Sequence, residues 1–366
     1  MKILQIVFSL SSGGAERFVV DLSNELSKTN DVTLLTLKDD QVDVENRNFY
    51  KYDLSPKVKY MNLGLGDGPH PTYPWKIYKT IRLINPDVVH IHGCPIIKYC
   101  YLSCLLLARK KVFVQTIHND LYHGYTNSFY KLSYHTLALR SKLRWVALSE
   151  TNYQQLKTEY PKAKSCRIYN GRAPMIPTEK FNAVGEEINK LKNDADTKVF
   201  LHVARCSPPK NQKLLISSFN AIRRQGRNAI LLVIGAHFDT EEGKNLVALA
   251  DKGIHFLGTR TNISDYMLQS DVFVLSSSYE GMPITLLEAM LSGTPMVSTP
   301  VTGAVDVING KNGILSKDFT QASFIASLDE MLNLLDEYKA EATKEKDNSP
   351  YTIKYCAEQY LEFYKK

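Results

Sequence analysis

The feature that most constrains this chain is the regular alternation of short apolar runs with amphipathic helical patterns along its whole length. Many of the runs are apolar at successive positions, which is typical of strands buried on both faces of a parallel sheet. The alternation therefore predicts the α/β class, with doubly wound parallel sheets. The cycle begins near Ile3 and begins again near Lys198, so the sequence predicts two similar α/β domains.

The predicted elements form two sets, each sufficient for one Rossmann-like domain. In the first half we expect strands at 3–8, 32–37, 88–91, 112–117 and 145–148. Helical patterns lie between them at 16–26, 73–84, 96–108, 128–139 and 150–159. In the second half we expect strands at 199–203, 229–234, 254–257, 272–275 and 296–298. Helical patterns alternate with these at 214–225, 244–252, 263–269, 284–292 and 322–336.

Two segments stand outside this alternation. Residues 172–197 contain prolines and many charges around a short helical pattern, so we interpret them as the connection between the domains. We predict an N-terminal domain over 1–175 and a C-terminal domain over 176–366, with a cleft between them. The last helical pattern, about 351–363, is rich in aromatic residues and is expected to pack back on the N-terminal domain. Three of these are expected to be buried there: Tyr355, Tyr360 and Phe363.

Composition limits the class of protein. The 366 residues are 44% hydrophobic and 23% charged, which excludes collagen-like, mainly disordered and disulfide-scaffold chains. No apolar stretch reaches the ~20 residues of a membrane-spanning helix. The apolar run at 3–10 could be a signal peptide, but the turn and helical pattern directly after it favour a first strand. The six cysteines show no CxxC or metal-finger spacing, so we expect reduced thiols.

The net charge of +7 is concentrated in the first half of the chain. Residues 51–180 carry 20 Lys and Arg against 7 Asp and Glu, whereas residues 181–366 carry 20 against 23. A basic half joined to a near-neutral half suggests that one domain meets an anionic surface, for which nucleic acid and anionic lipid are both candidates, although a basic surface that only favours solubility explains the charge equally well. Residues 96–111 (IIKYCYLSCLLLARKK) could lie on an anionic membrane, or they could form a buried helix of the N-terminal sheet.

The most informative motif is SSSYEGMPITLLEAMLSG at 276–293. Pro283 suits the first position of a helix, where its missing N–H costs nothing. Glu280 precedes the predicted helix and Glu288 lies inside it, so two carboxylates can accept from the hydroxyls of one ligand. A helix start also attracts phosphate, because its first backbone N–H groups are free. The expected donors at this start are the N–H groups of Ile284, Thr285 and Leu286.

Two further loops follow predicted strands. Arg205 and Lys210 lie in VARCSPPKNQ at 203–212, at the strand end where ligands bind in open α/β sheets. A guanidinium and an ammonium group together suit a diphosphate. Gly13 and Gly14 follow the first strand and would let backbone approach a ligand closely, although a tight turn explains them equally well.

Together these motifs resemble the GT4 family of retaining glycosyltransferases (glycosyl transferases group 1), whose GT-B fold has two Rossmann-like domains. Glu280 and Glu288 match the family's E-x7-E motif within a similar flanking sequence. Arg205 and Lys210 match its R-x4-K pair, and the diglycine turn is similar to its glycine-rich N-terminal loop. The resemblance covers nearly the whole chain and is densest over 199–315.

The resemblance implies a hexosyltransferase that moves a sugar, with retention at the anomeric carbon, from a nucleotide sugar that is expected to carry UDP. The acceptor would be a hydroxyl of a saccharide or of a lipid-linked glycan, in bacterial polysaccharide or glycolipid assembly. The N-terminal domain would bind the acceptor and the C-terminal domain the donor. Such an enzyme is expected in the cytoplasm, peripherally on the inner face of the cell membrane, with no metal or other cofactor.

The resemblance also implies a role for each site residue. Arg205 and Lys210 would stabilise the leaving diphosphate, Glu280 would bind the donor sugar, and Glu288 would bind the ribose. His118 occupies the family's T-x-H position near the donor sugar and joins Glu280, Arg205 and Lys210 as the expected catalytic residues. The expected donor-binding residues add the glycine turn and the helix start: Gly13, Gly14, Gly281, Met282, Pro283, Ile284, Thr285 and Leu286.

Three features allow more than one interpretation. His90 and His92 fall on the same face of a strand and could form a metal pair, although no third ligand is evident. His118 could instead cap a sheet edge. Asp194 and Asp196 spell the D-x-D of metal-dependent transferases of another fold, but they precede a strand and lie in the linker, so we discount them.

Two other functions stay open at the level of sequence. A nucleotide-sugar epimerase of the same fold would act on the donor without any acceptor, and a catalytically inactive relative would only bind sugar nucleotides. Nucleic acid is not an expected partner, because the sequence contains no recognised nucleic-acid-binding module.

Overall fold

The structure is a computed structural model that describes residues 1–40, 47–68, 70–118, 128–139, 143–347 and 349–365. It divides the chain into two compact units. The first unit comprises Met1–Ala173 together with Pro350–Lys366, and the second comprises Pro174–Ser349. The chain therefore leaves the first unit once and returns to it, and the second unit is one continuous segment.

Parallel strands form the centre of the first unit. They are β1 (Lys2–Val7), β2 (Asp31–Lys38), β3 (Lys59–Leu65), β4 (Val88–His92), β5 (Val112–Ile117), β6 (Arg144–Ala147) and β7 (Lys164–Arg167). Its first five helices are α1 (Gly14–Leu26), α2 (Tyr73–Ile84), α3 (Ile97–Leu107), α4 (Ser128–Leu139) and α5 (Glu150–Glu159). The strand order β3-β2-β1-β4-β5-β6-β7 shows that the chain builds outward from β1 and then crosses to its other side.

The second unit repeats this plan with a second parallel sheet. Its strands are β8 (Lys198–Val203), β9 (Ala229–Ile234), β10 (Ile254–Gly258), β11 (Val272–Leu275), β12 (Met296–Ser298) and β13 (Gly313–Leu315), in the order β10-β9-β8-β11-β12-β13. Its helices are α6 (Phe181–Leu191), α7 (Gln212–Arg224), α8 (Glu241–Ala248), α9 (Ile263–Leu268), α10 (Ile284–Ser292), α11 (Ala304–Val307), α12 (Gln321–Asn333) and α13 (Leu335–Asp347). The last helix, α14 (Ile353–Lys365), belongs to the first unit.

The central strands of both sheets are the apolar runs of the sequence. Every residue of β4 and of β9 is buried, and all of β1 after its first residue is buried. Strands that are covered by helices on both faces are apolar at most of their positions, and each fully buried Ile or Leu contributes about 1.5–3 kcal/mol relative to exposure. The α/β class with two doubly wound domains is confirmed.

Some elements of the structure are not predicted by the sequence patterns. Strands β3, β7 and β13 all lie at sheet edges. β3 and β7 are mostly half-buried or exposed, and β7 (KSCR) contains no apolar run. Helix α13 buries only a few side chains and carries many charges, so its sequence gives only a weak amphipathic pattern. Helix α6 is the short helical pattern within residues 172–197.

Helix α14 packs against α1 in the first unit. A Cβ on Gly171 would lie only 2.6 Å from the backbone oxygen of Thr352, so this close approach of the incoming chain requires glycine. Tyr360 and Phe363 are buried, whereas Tyr355 is 47% exposed, contrary to the expectation. Tyr355 lies on the outer side of the helix, and its ring adds nothing to this contact.

Helix α3 accounts for most of residues 96–111, for which the sequence left two interpretations open. It packs against α2 and α4 and buries Ile97, Cys100 and Cys104 in the core of the first unit. Lys111, at its far end, is hydrogen-bonded to the turn after α2. The segment is therefore a packed helix of the N-terminal unit. Within the described parts of the chain, no helix combines the length and the apolar character that crossing a bilayer requires.

Candidate functional site

Ligands of open α/β sheets bind at the carboxyl ends of the strands, where the strand order reverses. In the first sheet the order reverses between β1 and β4, and in the second it reverses between β8 and β11. Gly13 and Gly14 follow β1, Arg205 and Lys210 follow β8, and Glu280 follows β11. The fold thus places residues from separate sequence motifs at the ends of these strands.

The loop after β8 is shaped by close backbone packing. A Cβ on Gly235 would lie 2.0 Å from the backbone oxygen of Ala204, so the loop after β9 can approach this one only because it has glycine there. The side chain of Gln212 donates to the backbone oxygen of Arg205 (2.9 Å). A short 3-10 turn ends at Lys210 before α7 begins. The loop is therefore held by its backbone, while the Arg205 side chain is exposed.

The loops after β8 and β11 are tied to each other. The Ser276 hydroxyl donates to the backbone oxygen of Lys210 (2.9 Å), and the N–H of Ser278 donates to the backbone oxygen of Pro209 (2.8 Å). The Thr299 hydroxyl bonds the backbone oxygen of Ser277 from the other side (2.5 Å). The serines that follow β11 therefore fix the position of the cationic loop.

Lys210 and Glu280, 70 residues apart in sequence, form an ion pair at this point, with 2.5 Å between Nζ and Oε1. The Ser277 hydroxyl donates to the same carboxylate oxygen (2.7 Å). The two side chains keep 25% and 12% of their surface exposed. The structure therefore brings together one expected phosphate-binding cation and one expected sugar-binding carboxylate.

The start of α10 lies directly after Glu280. Its N-cap, Pro283, is extended and provides no side-chain cap. The N–H of Leu286 already donates to the backbone oxygen of Pro283 (3.2 Å), so the expectation that it is free for a ligand is wrong. Among the described hydrogen bonds, none uses the N–H of Ile284 or Thr285, which are the donors that remain at the helix start.

The other expected donor-binding residues of the second unit surround this helix start. Gly281 and Met282 are buried, and a Cβ on Gly303 would lie 2.4 Å from the Gly281 oxygen. Gly303 has a φ of 82°, in the region that favours glycine. Glu288 lies inside α10 and is 5% exposed, so its carboxylate is held in the interior of this unit.

The glycine turn of the first unit begins α1. Gly13 is the N-cap residue without a side-chain cap, and Gly14 is the first residue of the helix. A Cβ on Gly13 would lie 2.1 Å from a carboxylate oxygen of Glu16, so the small residue makes room for that side chain. Arg17, in the next position, is paired with Asp21 of the same helix and with Asp53, which lies between β2 and β3.

His90, His92 and His118 belong to a buried polar network at the ends of β4 and β5. His90 bonds Tyr364 through Nδ1 and Thr116 through Nε2, each at 2.7 Å. His92 is hydrogen-bonded to His118 through Nδ1 (3.1 Å) and to Gln5 through Nε2 (2.6 Å). Because both ring nitrogens of His90 and of His92 are engaged, the two do not form a metal pair. No cluster of three metal-ligating side chains occurs among the described residues.

Burial controls the protonation of these histidines. Desolvation lowers the pKa of His118 from its ordinary 6.5 to about 4, and it lowers the pKa values of His90 and His92 well below their usual range. A charged imidazole would lose its hydration in this network. At neutral pH the three rings are therefore uncharged, and each offers one donor and one acceptor.

The sequence patterns do not predict most of this network. Its other members interrupt apolar strands or lie on the last helix: Gln5, Thr116, Tyr360 and Tyr364. A polar residue within a fully buried strand was the available indication, since such a group must find a hydrogen-bond partner. Asp194 of the discounted D-x-D accepts from Thr197 and Asn228 in the turn before β8, which is a structural role.

Two family models match the chain, one in each half. Glycosyltransferase Family 4 matches residues 12–174, and Glycosyl transferases group 1 matches residues 184–347. The capsular polysaccharide biosynthesis glycosyltransferase CapH of Staphylococcus aureus is 23% identical over 310 residues, which are 79% of this chain and 78% of CapH. The UDP-Gal:alpha-D-GlcNAc-diphosphoundecaprenol alpha-1,3-galactosyltransferase of Escherichia coli is 27% identical over 265 residues, which are 66% of this chain and 63% of that protein.

Solved structures share the whole architecture. The structure of HepE from Anabaena, in complex with UDP and glucose, matches 99% of this chain and 98% of HepE with a TM-score of 0.78 at 18% identity. Two doubly wound parallel units of this kind form the GT-B fold. The chain belongs to the glycosyl transferases group 1, of the GT4 type, and the resemblance carried by its motifs is confirmed.

Proposed function

We propose that this glycosyltransferase moves a hexosyl group from a UDP-sugar to a hydroxyl of a saccharide or lipid-linked acceptor. The transfer retains the configuration of the anomeric carbon and serves bacterial polysaccharide or glycolipid assembly. The observation that carries the proposal is the Lys210–Glu280 pair beside the start of α10. A cation, a carboxylate and an uncapped helix start suit the diphosphate and the hydroxyls of a sugar nucleotide. The E. coli relative whose name gives UDP-Gal as donor supports the choice of UDP.

The second unit supplies the groups for the donor. Arg205 and Lys210 stabilise the negative charge that grows on the diphosphate as the bond to the sugar breaks. The backbone N–H groups at the start of α10 act on the same charge. One preorganised donor of this kind lowers the barrier by about 2.7–4 kcal/mol. Glu280 accepts from hydroxyls of the donor sugar, and Glu288 accepts from the ribose.

The first unit supplies uncharged groups. The neutral imidazole of His118 can donate or accept one hydrogen bond, which suits a hydroxyl better than a phosphate. Gly13 and Gly14 present backbone without side chains at the end of β1. In this proposal His118 positions the transferred sugar, and the first unit binds the acceptor.

A lipid-linked acceptor would be met at an anionic membrane, and the outer face of α2 suits such a surface. Trp75 is 50% exposed and Leu83 is 82% exposed. Lys76, Lys79 and Arg82 are exposed on the same side of the helix, opposite its buried residues. Exposed apolar side chains beside cations are typical of helices that lie on anionic lipid. In this proposal the enzyme acts on the cytoplasmic face of the membrane.

We also propose that the transfer needs no metal ion, because the cations of Arg205 and Lys210 and the start of α10 supply the positive charge for the diphosphate. Turnover in EDTA is then expected to equal turnover in added Mg²⁺ or Mn²⁺. A loss of turnover in EDTA that either ion restores would contradict this part of the proposal.

The proposal is tested by incubating the purified protein with UDP-hexoses and measuring UDP, with and without acceptor. Free saccharides and undecaprenyl-diphosphate-linked saccharides serve as the acceptor panel. The transferase releases UDP only when an acceptor is present, and the NMR spectrum of the product gives its anomeric configuration. An epimerase would give an isomeric UDP-sugar without acceptor, and an inactive binding protein would give neither product.

A further inference from the structure

The side chains of Gln5, His92 and His118 form a chain of hydrogen bonds in the first unit. The proposed reaction does not explain this chain. His92, which is 3% exposed, lies between the ring of His118 and the amide of Gln5. Its Nδ1 lies 3.1 Å from Nε2 of His118, and its Nε2 lies 2.6 Å from Oε1 of Gln5. In such a chain each hydrogen bond has one donor and one acceptor, so the chemistry at one end fixes the proton positions along it.

The amide oxygen at the inner end determines these positions. Gln5 Oε1 carries no hydrogen and only accepts, so Nε2 of His92 must carry the proton that it donates. His92 is neutral, because burial lowers its pKa well below the usual range, and its Nδ1 is therefore an acceptor. Nε2 of His118 then donates to it. Since burial lowers the pKa of His118 to about 4, its ring has no second proton, and its Nδ1 keeps a lone pair.

We propose that Gln5 and His92 are positioning residues that hold His118 in the Nε2-protonated tautomer, so that His118 Nδ1 accepts a hydrogen bond from a substrate hydroxyl. This proposal rests on the proposed function, in which His118 contacts a sugar. No described residue donates to Nδ1 of His118, whose side chain is only partly buried. A sugar hydroxyl can donate to this nitrogen, whereas a phosphate or carbonyl oxygen cannot, so the tautomer selects for hydroxyl groups.

The Gln5 amide has the orientation in which its oxygen, and not its nitrogen, meets His92. Burial raises the pKa of Tyr364 on the last helix, and the Gln5 side chain opposes this rise. The amide nitrogen makes no hydrogen bond among the described residues.

The first test is spectroscopic and uses the unaltered protein. Long-range ¹H–¹⁵N correlation spectra of protein labelled at histidine distinguish the two neutral tautomers, and His118→Asn identifies the His118 signals. We expect Nε2-protonated rings for both His92 and His118 at pH 7.5. A spectrum of His118 with the proton on Nδ1 would overturn the proposal, because the Gln5 amide would then have the opposite orientation.

Matched variants test the role of Gln5. Gln5→Leu removes the acceptor, and we expect a mixture of tautomers and a loss in kcat of about 10-fold, the effect of one hydrogen bond, with little change in KM. His135→Asn is the control, because His135 is exposed on α4, and we expect both the His118 tautomer and turnover to be unchanged in it.

The outcomes separate this proposal from the proposed function. An unchanged His118 tautomer in Gln5→Leu would show that Gln5 is not a positioning residue, whatever the activity. An Nε2-protonated His118 in a protein that never releases UDP would contradict the proposed function alone, since the spectra need no substrate.

Discussion

The two units have the same architecture, but the polar groups at the ends of their central strands differ in kind. In the first unit these groups are buried and uncharged, with His90 and His92 fully engaged in hydrogen bonds. In the second unit Lys210 and Glu280 are charged, paired and partly exposed. A buried charge costs several kcal/mol unless it is paired, so depth of burial decides which kind of group each unit holds. One fold can therefore present neutral groups that suit hydroxyls and charged groups that suit a diphosphate.

The largest effect is expected from removing the charges of the second unit. Arg205→Met and Lys210→Met are each expected to lower turnover by about 100- to 1000-fold, because the leaving diphosphate loses a stabilising cation. Lys213→Met is the matched control, since Lys213 is an exposed cation on α7. Turnover is measured as UDP release at saturating donor. Near-normal turnover in Arg205→Met or Lys210→Met would remove the functional contrast between the two units.

Lys210→Met also leaves Glu280 without its cation, which could weaken the fold as well as the chemistry. The double variant with Glu280→Gln removes both charges and restores neutrality at this point. If the double variant is as thermally stable as the unaltered protein and its turnover is still reduced, the loss of turnover comes from the reaction and not from a weakened fold.

The second prediction concerns the outer surface of the first unit. Reversing Lys76, Lys79 and Arg82 to Glu is expected to reduce binding to anionic vesicles by about 100-fold, because each cation near such a surface contributes about 1 kcal/mol. Binding of the unaltered protein is expected to fall as salt rises from about 0.05 to 0.5 M, since the Debye length shortens. Cosedimentation measures both effects.

The matched control reverses three exposed cations of the second unit, Lys244, Lys311 and Lys317, and we expect vesicle binding to be unchanged. Lys111 is unsuitable for such a test, because it is hydrogen-bonded to the turn after α2. Equal binding to neutral and anionic vesicles, or binding to neither, would contradict a membrane role for the basic surface.

The third prediction concerns the different roles of the two carboxylates of the second unit, Glu288 and Glu280. Glu288→Gln is expected to weaken UDP binding by about 10-fold, the loss of one hydrogen bond to a charged group, because the ribose belongs to UDP. Glu280→Gln is expected to leave UDP affinity nearly unchanged and to lower turnover of the intact sugar nucleotide. Calorimetry with UDP measures the first effect, and Glu186→Gln, on the exposed side of α6, is the control. Equal losses of UDP affinity in both variants would contradict the division.

The smallest effect is expected in the acid stability of the first unit. Between the unfolded pKa of about 6.5 and the folded value of about 4 for His118, the unfolded chain binds more protons, so stability falls as the pH falls. At pH 5.5 the cost is about 1.4 kcal/mol for this histidine. Both tryptophans, Trp75 and Trp145, lie in the first unit, so their fluorescence reports its thermal unfolding.

We expect His118→Asn to reduce the fall in melting temperature between pH 7.5 and 5.5. His135→Asn is the control, because His135 is exposed on α4 and its removal is expected to leave the fall unchanged. Identical pH dependence in His118→Asn and the unaltered protein would show that His118 titrates alike in the folded and unfolded chain.

The sequence was most informative where burial is complete. The apolar runs of β1, β4, β9 and β11 predict their strands, because a strand covered on both faces is apolar at most of its positions. Edge strands such as β7 are half-covered and short, so their residues need not follow any apolar pattern. The return of α14 was expected from its aromatic residues, which must be buried, although the exposed Tyr355 shows that composition does not identify which side of a helix is covered.

The candidate site, too, could be predicted from local sequence patterns only in part. Local pattern predicts that Arg205, Lys210 and Glu280 follow strands, but their pairing depends on two loops 70 residues apart and on the serines that tie them. The histidine network was recognised only in part, because the partners that engage His90 and His92 come from β1, β5 and α14. A hydrogen bond over such separations is a property of the packed sheet, and no local pattern encodes it.

The return of α14 to the first unit also sets an order of events during synthesis on the ribosome. Thr116 is hydrogen-bonded to Tyr360, which follows it by 244 residues in the chain. His90 is hydrogen-bonded to Tyr364, which follows it by 274 residues. At about 5–20 residues per second, the nascent first unit waits roughly 12–50 s for the hydroxyl groups that complete its interior. The second unit, as one uninterrupted segment, is fully synthesised before that moment. Premature release of the chain before Ile353 therefore leaves His90 without Tyr364 and Thr116 without Tyr360, so the first unit would be the incomplete one.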